Sequence, residues 1–263
     1  MKRGKVVKLG MMDRKNEAKE ANRGGERADD MVKVLGVGVS STKLVEVLTK
    51  FDDFLVKNDK MRLIVTVNPE FVMLAQDDPE FKKILNGADL AIADGVGLKL
   101  AGVRQVVPGR KLVEALLHKG CKVFYLGSFV AAEMAKKFGG AYDDGEKNIR
   151  AGEQESERII AKINKYKPDI LLVAYGAPWQ EKWIWANRRK LKAKIGMGVG
   201  GTFDYLTGHT SVPPEWVNKM GLEWLWRLVH EPWRWRRQLA LIRYLYKLAV
   251  TDANNRTACN CKL

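Results

Sequence analysis

The chain has 263 residues, of which 46% are hydrophobic and 29% charged, so it can fold around a core and wholesale disorder is excluded. No apolar run approaches the roughly 18 to 20 residues of a membrane-spanning helix. The net charge of +15 predicts attraction to a polyanion, which could be nucleic acid, an anionic bilayer or a phosphorylated substrate. Three cysteines are too few for a disulfide framework, and the basic N-terminus lacks the apolar region of a secretion signal, so we expect a cytoplasmic protein.

Apolar runs alternate with amphipathic stretches after a charged, glycine-containing segment, 1–30, that predicts a mobile leader. The runs that predict strands are 32–39, 61–68, 88–94, 122–127, 169–175 and 194–199. The stretches that predict helices are 42–56, 69–85, 110–118, 131–138, 156–166 and 180–191. This order indicates an α/β catalytic domain over 31–212 with a doubly wound, mostly parallel Rossmann-like sheet.

The composition changes after Pro213, because five of the eight tryptophans lie between residues 216 and 235 and are interleaved with arginines. Aromatic and cationic side chains interleaved in this way are typical of segments that lie in the headgroup zone of a membrane. The sequence therefore predicts that 213–250 is a helical, Trp- and Arg-rich appendage at a membrane surface and that 251–263 is a frayed tail.

Polar residues and glycines follow the predicted strands. Open α/β sheets bind ligands beyond the carboxyl ends of their strands, so these residues predict a single site. They are Thr66, Asn68, Asp94, Gly127, Ser128, Gly176, Gly198, Gly200 and Gly201.

Asp94 stands between an apolar strand and flexible glycine-containing backbone. A carboxylate exposed there could act as the general base for a sugar hydroxyl, although a lone Asp-Gly by itself favours an ordinary turn or helix-capping residue. Thr66 and Asn68 could bind a sugar or orient Asp94, although Asn before Pro is also a common way to enter a helix.

The glycine-rich turn 198–204, which ends at Asp204, could bring backbone N–H groups to a diphosphate or could be a tight structural turn. Its spacing is neither that of the dinucleotide fingerprint nor that of the Walker loop. At the start of the helix after Gly176, Gln180 could contact substrate, whereas Glu181 is expected to act as a capping residue. The acidic triplet through which many nucleotide-sugar enzymes hold a metal is missing from the sequence, so we expect no metal or other cofactor.

Three arginines of the predicted appendage, Arg227, Arg234 and Arg237, would share one face of a continuous helix, although Pro232 interrupts it. Their guanidinium groups could clamp a diphosphate. A solvated basic face that touches lipid headgroups is the alternative.

Taken together, the motifs resemble the WecG/TagA/CpsF family of glycosyltransferases from about residue 34 to residue 237. They are Thr-Val-Asn at 66–68, Ala-Asp-Gly-Val-Gly at 93–97, Phe-Tyr-Leu-Gly-Ser at 124–128, Gly-Ala-Pro-x-Gln-Glu-Lys at 176–182, Gly-x-Gly-Gly-x-Phe-Asp at 198–204, Gly-Leu-Glu-Trp-Leu-x-Arg-Leu at 221–228 and Glu-Pro-x-Arg at 231–234.

The resemblance implies transfer of an N-acetylhexosamine, typically N-acetylmannosamine, from UDP to polyprenyl-diphosphate-linked N-acetylglucosamine with inversion. Such a step belongs to wall teichoic acid or surface polysaccharide synthesis. By the same resemblance, Asp94 is the catalytic base, Thr66, Asn68 and Gln180 line the sugar pocket, and the three arginines complete the site over the diphosphate. The partners are then both substrates and the anionic inner face of a bacterial cell membrane, where the protein would be peripheral, with self-association a further expectation.

The sequence departs from the family pattern at two places. Relatives commonly have Arg-x-x-Gly-x-Asp, whereas this chain has Val106 in place of the arginine and Lys111 in place of the aspartate. Relatives also tend to have Arg-Ala-Pro-x-Trp, whereas the matching segment of this chain begins with Val212. These changes leave a rival hypothesis, a non-catalytic protein at the membrane surface that binds a nucleotide sugar. Nucleic-acid binding rests on net charge alone, since no recognised reading motif is present, and is not expected.

Overall fold

A computed structural model describes residues 31–57, 60–145, 153–214, 216–217, 220, 223–230 and 235–260. The described residues from Val32 onward belong to one compact unit. The predicted leader, 1–30, lies outside the described residues. Its mobility stays a prediction.

Strands of the described part form one sheet in the order β1-β2-β4-β3-β8-β7-β5-β6. They are β1 Met31–Val34, β2 Val37–Ser40, β3 Arg62–Val67, β4 Leu90–Ala93, β5 Val123–Leu126, β6 Ala141–Asp143, β7 Ile170–Val173 and β8 Ile195–Gly198. From β2 to β6 in this spatial order, each strand is parallel to the strand beside it. The mostly parallel α/β sheet expected from the sequence is therefore confirmed.

The helices of the described part follow the alternation that the sequence predicts. They are α1 Leu44–Val56, α2 Pro69–Asp77, α3 Pro79–Asn86, a 3₁₀ helix Val96–Ala101, α4 Gly109–Leu117, α5 Ala131–Phe138, α6 Glu153–Tyr166, α7 Trp179–Asn187, α8 Thr202–Thr207, α9 Glu223–His230 and α10 Trp235–Asn260.

The direction of each crossover decides which face of the sheet a helix covers. Connections that run from β1 towards β6 in the sheet carry α1, α4 and α5, whose buried side chains form one apolar layer. Connections that run the opposite way carry α2, α3, α6 and α7, whose side chains form the layer on the other face. Right-handed crossovers require this separation. With both faces covered, strands such as β3 are buried at nearly every position.

Three differences from the sequence-based elements have local causes. The run 32–39 is two strands, because Leu35 and Gly36 both have positive φ, 48° and 82°, as a two-residue hairpin turn requires. The stretch 69–85 is two helices, because Asp78 ends the first and caps the second, which begins at Pro79. The three-residue strand β6 carries too little apolar pattern to be predicted.

The long C-terminal helix α10 packs against α2. Tyr244 is fully buried there, and its hydroxyl donates to the carbonyl of Gly97 at 3.3 Å. Arg243 forms a two-pronged ion pair with Asp77. The helix continues to Asn260, past residue 250 where the frayed tail was expected to begin. The domain boundary at residue 213 and the membrane role of 213–250 stay predictions.

Candidate active site

Two polar strand ends meet where the sheet changes direction. The connections that leave β3 and β4 run opposite ways and place α2 and α4 on opposite faces, which opens a crevice at the carboxyl ends of these neighbouring strands. Val67 and Ala93 are paired in register, so the residues that follow them, Asn68 and Asp94, stand side by side. We call this the β3–β4 side of the cleft.

Asp94 and Thr66 converge on the first turn of α4. A Cβ placed on Gly109 would lie 3.2 Å from Asp94 Oδ2 and 3.4 Å from Thr66 Oγ1. Thr66 is buried, whereas Asp94 is half-buried. Glycine at 109 thus leaves space for a carboxylate and a hydroxyl beside a helix N-terminus, whose dipole stabilises negative charge.

Asn68 has a local structural task. Its side chain accepts a hydrogen bond of 2.9 Å from the backbone N–H of Phe71 and thereby caps α2, with Pro69 in the first position of the helix. Capping uses the amide oxygen and leaves the NH₂ group as a donor. The helix-entry alternative is therefore present in the structure, and a contact with sugar stays a prediction.

Gln180 links two glycine turns at the ends of β7 and β8, the β7–β8 side of the cleft. Its Oε1 accepts hydrogen bonds from the backbone N–H groups of Gly176, at 3.1 Å, and Gly200, at 2.9 Å. The side chain is only 2% exposed. The glycine N–H groups thus donate to a side chain below the turns, and their contact with a diphosphate stays a prediction.

Glu181 lies beneath the same turns instead of capping α7 at the surface. It is 1% exposed, and its Oε1 accepts a 2.7 Å hydrogen bond from Gln180 Nε2. Burial raises the pKa of Glu181 to about 7, although the hydrogen bond from Gln180 acts in the opposite direction. A Cβ at position 198 would lie 2.3 Å from Glu181 Oε1, so only glycine fits there. The expected capping role of Glu181 is thus replaced by a buried one.

The far end of the cleft is formed by β5 and β6. Gly127 has φ of 88°, and the ring of Tyr175 occupies the space where a Cβ would be. Ser128 accepts a 3.3 Å hydrogen bond from the N–H of Val130 and so shapes the turn before α5. Neither contact tests the predicted substrate-binding role of Gly127 and Ser128.

Asp143 ends β6 as a buried carboxylate with two cationic partners. Its oxygens accept hydrogen bonds from Arg158, at 2.9 and 3.1 Å, and from Lys162, at 2.8 Å. Burial by itself raises the pKa of Asp143, but these hydrogen bonds outweigh it and hold the pKa at about 2. Two cations thus face this one carboxylate.

Two of the remaining predicted site residues are fully described, and the three arginines are described in part or not at all. Gly201 precedes α8, and the half-buried Asp204 lies in the first turn of that helix. Arg234 lies outside the described residues, and for Arg227 and Arg237 the description stops at the backbone of α9 and α10. Their role over a diphosphate stays a prediction.

Sequence reasoning missed two residues of this site. Gly109 follows a departure from the family pattern and carries no chemical group, so only its position beside Asp94 reveals it. Glu181 was assigned to a helix cap, because acidic residues usually occupy the exposed first turn. The one available signal was Gly198, since glycine at the end of a buried strand often marks the close approach of another group.

Comparison with known proteins identifies the class. Residues 32–258 match the glycosyl transferase WecG/TagA/CpsF family, so the chain belongs to this family, as its motifs indicate.

Similar proteins include N-acetylglucosaminyldiphosphoundecaprenol N-acetyl-beta-D-mannosaminyltransferases from three bacteria. The protein of Bacillus subtilis (strain 168) is 28% identical over 232 residues, which cover 80% of this chain and 89% of the relative. That of Bacillus spizizenii (strain ATCC 23059 / NRRL B-14472 / W23) is 30% identical over 78% of this chain and 85% of its own length. That of Staphylococcus aureus (strain MRSA252) is 28% identical over 83% and 92%.

Two further properties of the described residues bear on the site. They contain no group of three or more His, Cys, Asp or Glu side chains placed to hold a metal ion. None of the helices in this part of the chain has the length and apolar character needed to cross a membrane.

Proposed function

We propose that this glycosyltransferase moves N-acetylmannosamine from UDP to polyprenyl-diphosphate-linked N-acetylglucosamine, as a step in wall teichoic acid or surface polysaccharide synthesis. The observation that carries the proposal is the position of Asp94 beside Thr66 in the crevice between β3 and β4. The names of the similar bacterial proteins support the choice of sugar and acceptor.

In the proposed mechanism, Asp94 takes the proton of the acceptor hydroxyl while that oxygen bonds to the anomeric carbon of the donor. The bond between this carbon and the diphosphate oxygen breaks, and its electron pair leaves with UDP, so the anomeric configuration inverts. Negative charge that grows on the diphosphate is stabilised by Arg227, Arg234 and Arg237, and no metal is needed.

The test is a product assay with UDP-N-acetylmannosamine and a short-chain lipid-diphosphate N-acetylglucosamine, in the presence of EDTA. We expect disaccharide from the wild type and at least about a hundredfold less from Asp94→Asn, because the base is lost. The matched control is Asp52→Asn, an exposed carboxylate that pairs with Lys119 on the surface. No product from a folded wild type that still binds UDP would reject transfer of N-acetylmannosamine to this acceptor, and it would favour a changed substrate first and the non-catalytic alternative second.

The acceptor lipid places the reaction at a membrane surface, and α10 offers a surface for that contact. Leu239, Ile242 and Tyr246 are 51%, 66% and 70% exposed, whereas Tyr244 between them is buried against the core. Exposed apolar side chains on a basic protein suit peripheral binding to anionic lipid. Flotation with anionic and zwitterionic vesicles tests this part, with Ile242→Asp expected to lower the bound fraction. Equal binding by Ile242→Asp and the wild type would remove α10 from the contact.

A further inference from the structure

The side-chain carbonyl oxygen of Gln180 accepts its hydrogen bonds from groups inside the protein. A carbonyl oxygen has two lone pairs, and Gln180 Oε1 uses both of them on the N–H groups of Gly176 and Gly200. These two residues follow different strands, β7 and β8. One buried oxygen therefore ties together two turns that border the cleft, and it cannot also accept a hydrogen bond from a sugar.

Glu181 determines which way the Gln180 amide faces. With Nε2 pointing at Glu181 Oε1, 2.7 Å away, the carbonyl oxygen points at the two glycine N–H groups. If the amide turned over, its NH₂ group would face two donors and its oxygen would face the carboxyl oxygen. Only the observed orientation satisfies all three hydrogen bonds.

The surroundings of Glu181 make this arrangement specific. Its second oxygen, Oε2, is buried and has no hydrogen-bond partner among the described residues. A buried polar atom without a partner costs stability, which argues for a task other than stabilising the fold. Gly198 leaves the space that brings Glu181 and Gln180 under the turns, because a Cβ there would also lie 2.6 Å from Gln180 Nε2.

We propose that Glu181 is a positioning residue of the transferase. It holds the Gln180 carbonyl against Gly176 and Gly200 and thereby fixes the shape of both turns on the β7–β8 side of the cleft. The role in transfer rests on the proposed function, whereas the effect on the turns does not. Burial raises the pKa of the Glu181 carboxyl, which favours the neutral form in this position.

Three variants separate positioning from stability. Glu181→Leu removes the acceptor of Gln180 Nε2 and also the buried Oε2 that has no partner among the described residues. These two effects on stability oppose each other, so we expect the turns to loosen with little change in the melting temperature. Glu181→Gln keeps an acceptor oxygen at the same place and should restore the wild-type behaviour. Ile184→Ala removes a fully buried side chain one turn further along α7, so it should lower the melting temperature without affecting the turns.

Two readouts are measured on the full chain. By hydrogen exchange, peptides that contain Gly176 and Gly200 should exchange at least tenfold faster in Glu181→Leu than in the wild type, Glu181→Gln or Ile184→Ala. In the transfer assay, Glu181→Leu should raise the KM for UDP-N-acetylmannosamine at least fivefold, with a smaller change in kcat. If Glu181→Leu does not fold, Glu181→Met, which also lacks an acceptor, takes its place.

Wild-type exchange in both turns of Glu181→Leu would overturn the proposal, and so would a Glu181→Gln variant that behaves like Glu181→Leu. A third outcome is that neither the wild type nor any variant forms disaccharide, while the exchange pattern is as expected. In that case the proposed function fails, and the positioning of the turns by Glu181 stands.

Discussion

The β3–β4 and β7–β8 sides of the cleft are built in opposite ways. On the β3–β4 side, the side chains of Asp94 and Thr66 lie beside Gly109. On the β7–β8 side, backbone turns form the border, and two buried side chains, Gln180 and Glu181, support it from below. A change on the first side should therefore alter chemistry at nearly constant stability, whereas a change that displaces the buried pair on the second side should alter stability and binding together.

The sharpest test of this contrast is Gly198→Ala. Its Cβ would lie 2.3 Å from Glu181 Oε1, so the buried pair has to move and its hydrogen bonds break. Overpacking and lost hydrogen bonds together should lower the free energy of unfolding by about 3 kcal/mol or more. Urea unfolding measures the loss. The control is Gly200→Ala, where the Cβ meets no atom within 4 Å and strain from φ of 51° costs only about 1 to 2 kcal/mol. An equal loss in both variants would contradict the model.

The pH dependence of stability tests the same side without changing its shape. The pKa of Glu181 is 4.5 in its ordinary state and about 7 when folded, so the folded protein keeps a proton that the unfolded chain releases. The contribution of Glu181 to the free energy of unfolding should be highest below about pH 4.5 and should fall by about 3 kcal/mol as the pH rises from 4.5 to 7.

Urea unfolding between pH 5 and 8 measures that slope, and Glu181→Gln should flatten it. Asp143 does not contribute in this window, because its lowered pKa of about 2 affects stability only as the pH falls from about 4 toward 2. An unchanged slope in Glu181→Gln would show that another group titrates.

On the β3–β4 side, Gly109→Ala should affect the reaction alone. The new methyl group would lie 3.2 Å from Asp94 Oδ2 and would displace the carboxylate by a few tenths of an ångström. We expect kcat to fall about tenfold, because small misplacements of a reacting group are costly. UDP affinity and the melting temperature should change little. Glu114→Ala, at an exposed position of the same helix, is the control. A large loss of stability in Gly109→Ala would erase the contrast between the two sides.

The smallest expected effect concerns the anchor of α10 beside the β3–β4 side. Arg243 and Asp77 are both about half exposed, so Arg243→Gln should lower the melting temperature only slightly, and less still at high salt. Thermal unfolding at low and high salt measures this loss. Hydrogen exchange at Gly176 and Gly200 should stay unchanged, since the pair touches only the other side. Faster exchange there would mean that the two sides are coupled.

The layout of the fold could be predicted from the sequence because strand and helix patterns alternate from residue 32 onward. Turn chemistry was harder to predict. Leu35 adopts a positive φ that apolar residues other than glycine rarely adopt, so a continuous strand was expected there. The short strand β6 was missed, since pairing with β5 decides its conformation rather than its own residues.

The candidate site was predictable where strand ends carry polar groups, as at Thr66 and Asp94. The buried pair was not, because sequence alone cannot distinguish a glutamate that caps a helix in water from one that lies under a turn. That distinction depends on the glycine at 198, which is distant from Glu181 along the chain and adjacent to it in space.

The partners of α10 also set an order of events during synthesis. Asp77 and Arg243 are 166 residues apart, and Gly97 receives the Tyr244 hydroxyl from a comparable distance along the chain. The surface of α2 that accepts this helix therefore stays uncovered on the ribosome until the sheet and its other helices have been made. The covering of α2 by α10 is accordingly the last packing step of this unit, so a nascent chain lacking α10 would leave the outer face of α2 and Gly97 without this helix.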